Sequence, residues 1–191
     1  MSKKKPIIIN LGCNRHASPA FINVDMFRFP GVDVVADLRE KWPFPDNYAD
    51  RIIAVDLAEH LPDRIHFMNE CWRVLKPGGI AELVIPSTDG RGADQDPTHV
   101  SFWNLNSFFY YAVFNNGGVW QSHPWRSLYA PHLIKAAFSF MPPEGEVAQT
   151  EADNMGIVYL QAKGKAIKDP IFSPEGLPEA STAPLPDDLN G

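Results

Sequence analysis

Short apolar runs alternate with polar or helix-like stretches along the first half of the chain, and within each run the apolar positions are nearly continuous. PIIINL (6–11), FINV (21–24), DVVA (33–36), RIIAV (51–55) and IAELVIP (80–86) read as strands buried on both faces. Such strands, spaced by helix or loop segments, predict an α/β fold with a mostly parallel sheet and helices on both faces. Two later runs, EVAQTE (146–151) and GIVYLQAK (156–163), lie close enough in the chain to add an antiparallel hairpin at one edge.

The clearest helical period runs from Pro62 to Leu75. Ile65, Met68, Trp72 and Leu75 recur on one face with Cys71 beside them, which sends His66, Asn69, Glu70 and Arg73 toward solvent. Pro77 cannot continue the helix, and Gly78-Gly79 supply a turn into the next strand. From Pro86 to about Pro131 glycine, asparagine and aromatic residues take over, with one short helix expected near Asn106 to Phe114. Long excursions of this kind in compact domains are usually lids or binding loops. The reading is a single domain over 1–165, with its excursion or lid at about 87–131. Residues 166–191 follow as a proline-rich, acidic tail whose composition predicts disorder.

With 191 residues, 45% of them hydrophobic, the chain can bury one sizeable core. A formal charge of −6 leaves no broad basic face, so nucleic acid is a disfavoured partner. The Lys3-Lys4-Lys5 run precedes an apolar segment too short for a signal peptide or a bilayer span, so no membrane partner is expected. Cys13 and Cys71 lack metal-like spacing and read as reduced thiols in a cytoplasmic protein.

The chemistry concentrates where the strands end, since an open α/β sheet binds ligands beyond the carboxyl ends of its strands. The first strand ends in Asn10-Leu11-Gly12-Cys13-Asn14, the second in Asp25, the third in Asp37-Leu38 and the fourth in Asp56. Gly12 lets backbone N–H groups approach a ligand closely. An acid closing the second strand can accept both hydroxyls of a ribose. One closing the third can accept from an adenine amine, with the Leu38 N–H available to a ring nitrogen. A dinucleotide would call for G-x-G-x-x-G ahead of a helix to seat its pyrophosphate. Here those places hold Gly12, Asn14 and Ala17, and the link to Asp25 has room for an irregular bridge or a single helical turn. A ligand without phosphates needs less of that cradle. Asn14 suits the turn because asparagine tolerates left-handed backbone.

Taken together, INLGCN, FINVD, DVVADLREKWPFPDNYADRIIAVDLAEHLPD and MNECWRVLKPGGIAELVIPS resemble the class I S-adenosylmethionine-dependent methyltransferases. The match is to a small, Rossmann-like bacterial and phage kind with a shortened first helix, and it extends over roughly residues 7–115. The resemblance implies S-adenosyl-L-methionine as cofactor. It places Asn10, Leu11, Gly12 and Asn14 at the methionine end, Asp25 at the ribose, Asp37 and Leu38 at the adenine, and Asp56 with Leu57 beside the sulfonium. Glu59 and His60 match the family's Glu-His pair.

The acceptor is sought in DQDPTHVSFWN. His99 is read as the base for an acceptor hydroxyl with Asp96 orienting it, and His60 joins them as a catalytic candidate. Asp94, Asp96 and His99 also suit part of a metal site, or a plain turn in the sequence Asp96-Pro97-Thr98-His99; no resident metal is assigned. Trp103, Phe108, Phe109, Tyr110 and Tyr111 divide between core, acceptor wall and a homodimer face. The expected activity is methyl transfer to a small-molecule or glycan-type acceptor. The alternative is a binding module that retains the fold and the cofactor but acts through assembly. A nucleic-acid methyltransferase would carry an Asn/Asp-Pro-Pro-aromatic motif where this chain reads Asp56-Leu57-Ala58-Glu59.

Overall fold

The computed structural model describes residues 5–116, 119–122, 133–140 and 145–168. Four parallel strands open the chain: β1 (Ile8–Leu11), β2 (Ile22–Asp25), β3 (Val34–Val35) and β4 (Ala49–Val55). A 3-10 turn at Ala58–His60 leads to α1 (Arg64–Val74), which runs straight into β5 (Leu75–Pro86). The excursion holds a one-turn helix α2 (Gly92–Gln95), a 3-10 helix at Leu105–Tyr110, and the antiparallel pair β6 (Val113–Asn116) and β7 (Val119–Ser122). Then come β8 (Phe138–Ser139), β9 (Glu146–Gln149) and β10 (Tyr159–Ala166).

The main sheet has the order β3-β2-β1-β4-β5-β10-β8, with β9 also pairing β10. β1 to β5 pair in parallel, whereas β10 runs antiparallel to β5, β8 and β9. The chain steps outward from β1 to β3 and then returns to lay β4 on the other flank of β1. That reversal opens a crevice beyond the carboxyl ends of β1 and β4. Ile9, Leu11, Ile52, Ala54, Leu83 and Ile85 form the fully buried middle, packed against Trp42, Phe67, Met68 and Cys71. Cys13 and Cys71 are both free and buried.

Between β1 and β2 no helix forms. The buried Asn23 side chain takes its place, accepting from the Ser18 N–H and donating to the Ser18 and Phe21 carbonyls. An amide with two donors and an acceptor can pin a short irregular bridge that has no backbone ladder of its own.

Several boundaries and faces differ from the expected ones. α1 buries Phe67, Met68, Cys71 and Val74, while Ile65 and Trp72 are only half-buried. Glu70 is buried and not solvent-facing: its carboxylate accepts from the Trp42 N–H at 2.8 Å and pairs with Arg73 at 2.6 Å. A periodicity argument sends every charge outward, but a carboxylate that finds a backbone donor and a guanidinium can stay inside. β5 begins at Leu75 because Leu75 already pairs with Ala49. The helix expected at Asn106 to Phe114 is a 3-10 segment ending at Tyr110, capped at Asn104 by a reciprocal bond with Ser107, and the chain is extended again from Val113. β10 continues through Ala166, and Ile167 is buried, so the sheet reaches past the expected domain end at 165. The rest of the tail, and much of the excursion after Asn116, lie outside the described residues. Among those described, no helix is long and apolar enough to cross a membrane.

Candidate active site

The crevice at the reversal point is a cleft of about 420 Å³. Gly12 and Asn14 line it from the end of β1, Asp25 from β2, Asp37 and Leu38 from beyond β3, and Asp56 and Leu57 from beyond β4. Three residues here have positive φ: Gly12 at 61°, Asn14 at 46° and Asp56 at 49°. A Cβ on Gly12 would come within 2.9 Å of Leu57 Cδ1, so the turn needs glycine both for conformation and for space. Asn14 in the left-handed region donates its N–H to Asp25 Oδ2 at 2.9 Å, and the Phe27 N–H donates to Asp25 Oδ1 at 2.9 Å. Asp25 is thereby fixed at the rim with lone pairs to spare, since a carboxylate accepts at about four positions.

Asp37 is held by Arg39, which donates from Nε at 2.9 Å and from the guanidinium terminus at 2.6 Å. These bonds hold its carboxyl at about 2. Asn10 and Leu11 do not line the cleft. Leu11 is fully buried core, and the Asn10 amide donates to the His16 carbonyl and to Asn23 Oδ1. Their place inside a strand, one pleat short of the turn, accounts for this. Met26, Phe27 and Phe29 supply an apolar wall that the reading of strand ends missed. The signal was present in DMFRFP, where exposed aromatics directly follow a strand-closing acid.

A second cleft of about 280 Å³ adjoins the first, sharing Asp56 and His60. Glu59, Asp96 and His99 line it, with Pro86, Ile157 and Tyr159 as walls. The Glu59 carbonyl accepts from the Val100 and Ser101 N–H groups, and the Ser101 hydroxyl donates to the Ala58 carbonyl. Those bonds staple the excursion over the turn after β4 and bring His99 to Glu59. His99 Nδ1 lies 3.0 Å from the Ala93 carbonyl, which fixes a proton on that nitrogen and leaves Nε2 as the basic atom. Nε2 stands 4.0 Å from Glu59 Oε1 and 3.9 Å from Asp96 Oδ2. The His60 ring meets the His99 ring edge-on at 4.9 Å, and its Nδ1 lies 3.1 Å from the Thr98 hydroxyl.

Asp96 therefore does not orient His99; the Ala93 carbonyl does. Asp96 Oδ1 is engaged by the Thr98 N–H at 2.8 Å and the Thr98 hydroxyl at 2.6 Å, so Asp96-Pro97-Thr98-His99 is at once a turn and a wall of the cleft. Asp94 is exposed and outside the cluster. Glu59 is 2% exposed and, burial being the main cause, its carboxyl is pushed up to about 7, with Asp56 and Asp96 adding to the rise. Burial likewise raises Asp56. Trp103, Phe108 and Tyr111 belong to the core, whereas Phe109 and Tyr110 are exposed. None of these five lines either cleft; Tyr110 and Tyr111 border a separate one beside Arg64 and Asn104.

Comparison with known proteins finds methyltransferases. The methyltransferase domain family matches residues 14–83. A protein of Mycolicibacterium smegmatis named a probable S-adenosylmethionine-dependent methyltransferase is 34% identical over 76 residues, covering 38% of this chain and 30% of that one. The chloroplastic 2-methyl-6-phytyl-1,4-hydroquinone methyltransferase 1 of Oryza sativa is 30% identical over 108 residues, covering 56% of this chain and 27% of that one. The chain thus spans about a third or less of the length of these curated relatives. In fold, a Bacillus halodurans crystal structure of a candidate methyltransferase superposes with a TM-score of 0.53 at 15% identity, over 86% of this chain and 94% of that one.

Proposed function

We infer that the chain is a class I S-adenosylmethionine-dependent methyltransferase and that it moves a methyl group from S-adenosyl-L-methionine to a small-molecule or glycan-type acceptor. The observation that carries this is the first cleft. One glycine turn and three strand-end carboxylates converge there, a lining suited to a ribose, an adenine and an amino-acid end, and unsuited to phosphates. Asp25 is the ribose ligand in this reading, Asp37 and Leu38 take the adenine edge, and Gly12 with Asn14 leaves room for the methionine end. Asp56, which lines both clefts, and Leu57, which lines the first, stand beside the sulfonium in this reading, which puts it next to the second cleft.

The acceptor then occupies the second cleft. Its volume, about 280 Å³, suits a small molecule or one sugar unit, and its carboxylates disfavour an anionic acceptor. A relative named for a hydroquinone is in keeping with a hydroxylated acceptor. In the reaction, an acceptor oxygen lone pair forms the new bond to the methyl carbon. The carbon–sulfur bond breaks with its electron pair left on sulfur, giving S-adenosylhomocysteine. The acceptor proton passes to the cluster of Glu59, His60 and His99, where a lone pair on His99 Nε2 and a carboxyl near neutral are at hand. The rate advantage is mostly alignment of oxygen, carbon and sulfur in one line.

Calorimetric titration with S-adenosylmethionine and S-adenosylhomocysteine tests the reading. Saturable heat from both at one site is expected, and no heat from either would end it. Tight cofactor binding without methyl release across a broad panel of hydroxylated acceptors would move the chain to the alternative, a module that binds without turnover.

A further inference from the structure

The cluster in the second cleft has a feature that proton transfer alone does not need. Both oxygens of Glu59 are buried and neither has a hydrogen-bond partner among the described residues. A buried carboxyl normally finds a donor, so one aimed without any at two imidazoles points to a missing cation or ligand. Glu59, His60 and His99 each offer one donor atom, all within 4.8 Å of one another. The imidazoles are prepared in the way metal-binding histidines are: His99 Nδ1 is held by the Ala93 carbonyl, and His60 Nδ1 by Thr98. The Glu59 turn and the Thr98–His99 segment are tied together through backbone bonds, so the three donors are carried on one stapled unit.

We propose that Glu59, His60 and His99 bind one divalent ion of borderline softness, such as Zn2+, with a coordination position open to the second cleft. Two imidazoles and a carboxylate are the donor set of zinc-type catalytic sites, in which a water or substrate oxygen completes the shell. Donors about 2.0–2.2 Å from such an ion stand roughly 3.3 Å apart. The 4.0 Å between His99 Nε2 and Glu59 Oε1 closes to that value with modest side-chain rotation. Asp96, with Oδ2 3.9 Å from the same nitrogen, can approach as a further ligand. The role of the ion, holding an acceptor oxygen beside the cofactor's methyl group, rests on the functional reading above; with the ion bound, the His99 Nε2 lone pair is donated to it and the acceptor proton leaves to solvent instead. The ion site itself does not rest on that reading.

The test is titration of ZnCl2 into the full chain after chelator treatment. One equivalent should bind with micromolar or tighter affinity. Glu59→Gln and His99→Ala should each weaken it at least tenfold, while His66→Ala, whose ring contacts the Glu40 carbonyl outside the cluster, should leave it unchanged. CoCl2 added to the unmutated chain should give the strong visible absorption of a low-coordinate nitrogen and oxygen site, a readout independent of whether a variant folds. Absence of saturable one-to-one binding, or retention of full affinity in both variants, overturns the proposal. S-adenosylmethionine is titrated into the same preparation with and without Zn2+. Cofactor binding without Zn2+ binding rejects the ion site alone, and Zn2+ binding without cofactor binding rejects the methyltransferase reading while the ion site stands.

Discussion

Asp37 sits in a bidentate embrace with Arg39 at the mouth of the first cleft, and its neighbour Leu38 is buried in the core. The pair fixes the carboxylate's direction while leaving it at the rim, as recognition of an exocyclic amine requires. Asp37→Ala should weaken S-adenosylmethionine binding by about tenfold to a hundredfold, the scale of one charge-assisted hydrogen bond. Because Arg39 holds the carboxyl at about 2, the group stays ionised across neutral and mildly acidic conditions. The gap between wild type and variant should therefore be flat from about pH 5 to pH 8. Calorimetry at several pH values reads both, and an unchanged affinity would remove the third strand end from the site. Gly12 makes a sharper test of the turn. With φ at 61° and a would-be Cβ 2.9 Å from Leu57 Cδ1, Gly12→Ala should cost about 1–2 kcal/mol of stability for the left-handed backbone. It should also weaken the cofactor by displacing Leu57. Urea denaturation followed by ligand titration separates the two effects.

The helix α1 shows what an element adds that no residue reveals alone. Glu70, on its buried side, fastens the irregular β3–β4 connection by accepting from the Trp42 N–H, and Arg73 extends the same clasp to the Phe44 carbonyl and to Asp46. Burial pushes the Glu70 carboxyl up, but the bonds from Arg73 and the Trp42 N–H outweigh it and hold the group below the usual glutamate range. A depressed carboxyl stabilises the fold above its unfolded value, and that contribution is lost as pH falls through the folded one. Glu70→Gln should cost about 1.5–3 kcal/mol at neutral pH, the worth of hydrogen bonds to a charged group. The deficit should shrink as the pH drops below about 4.3, the ordinary glutamate value. Denaturation midpoints for both proteins from acid to neutral pH check it, and a deficit that grew in acid would contradict the sign.

At this scale the sequence was legible where one principle ruled. β1, β2, β4 and β5 carry nearly continuous apolar runs that announce themselves, although in β1, β4 and β5 fully buried positions largely alternate with half-buried ones, and Asn14 could be placed in a left-handed turn from its chemistry alone. Glu70 was misread because helical periodicity cannot see a donor arriving from another loop. The wall made by Met26, Phe27 and Phe29 went unread for the same reason, since which face a loop presents depends on what it packs against.

For the molecule as a whole, the two clefts depend on contacts between distant parts of the chain. His60 and Thr98 meet across 38 positions, and Tyr159 reaches the second cleft from a strand that follows the whole excursion. No local pattern encodes such a meeting, which is why His99 could be nominated from sequence while its approach to the buried Glu59, on the turn after β4, could not. The same architecture makes ligand binding a test of global stability. A cofactor in the first cleft contacts the ends of β1 and β2 and the segments beyond β3 and β4, which in the unfolded chain are far apart. It can bind only the folded state, so S-adenosylhomocysteine at a hundred times its dissociation constant should add about 2.7 kcal/mol. For a chain of this length each kilocalorie raises the melting temperature by about 2–4 °C, so an upward shift of about 5–10 °C is expected in a thermal melt. Asp37→Ala should lose between about half and most of that shift at the same ligand concentration, whereas His99→Ala, which touches only the second cleft, should keep it. A shift that survived Asp37→Ala but vanished in His99→Ala would place the ligand in the second cleft and reverse the assignment of the two.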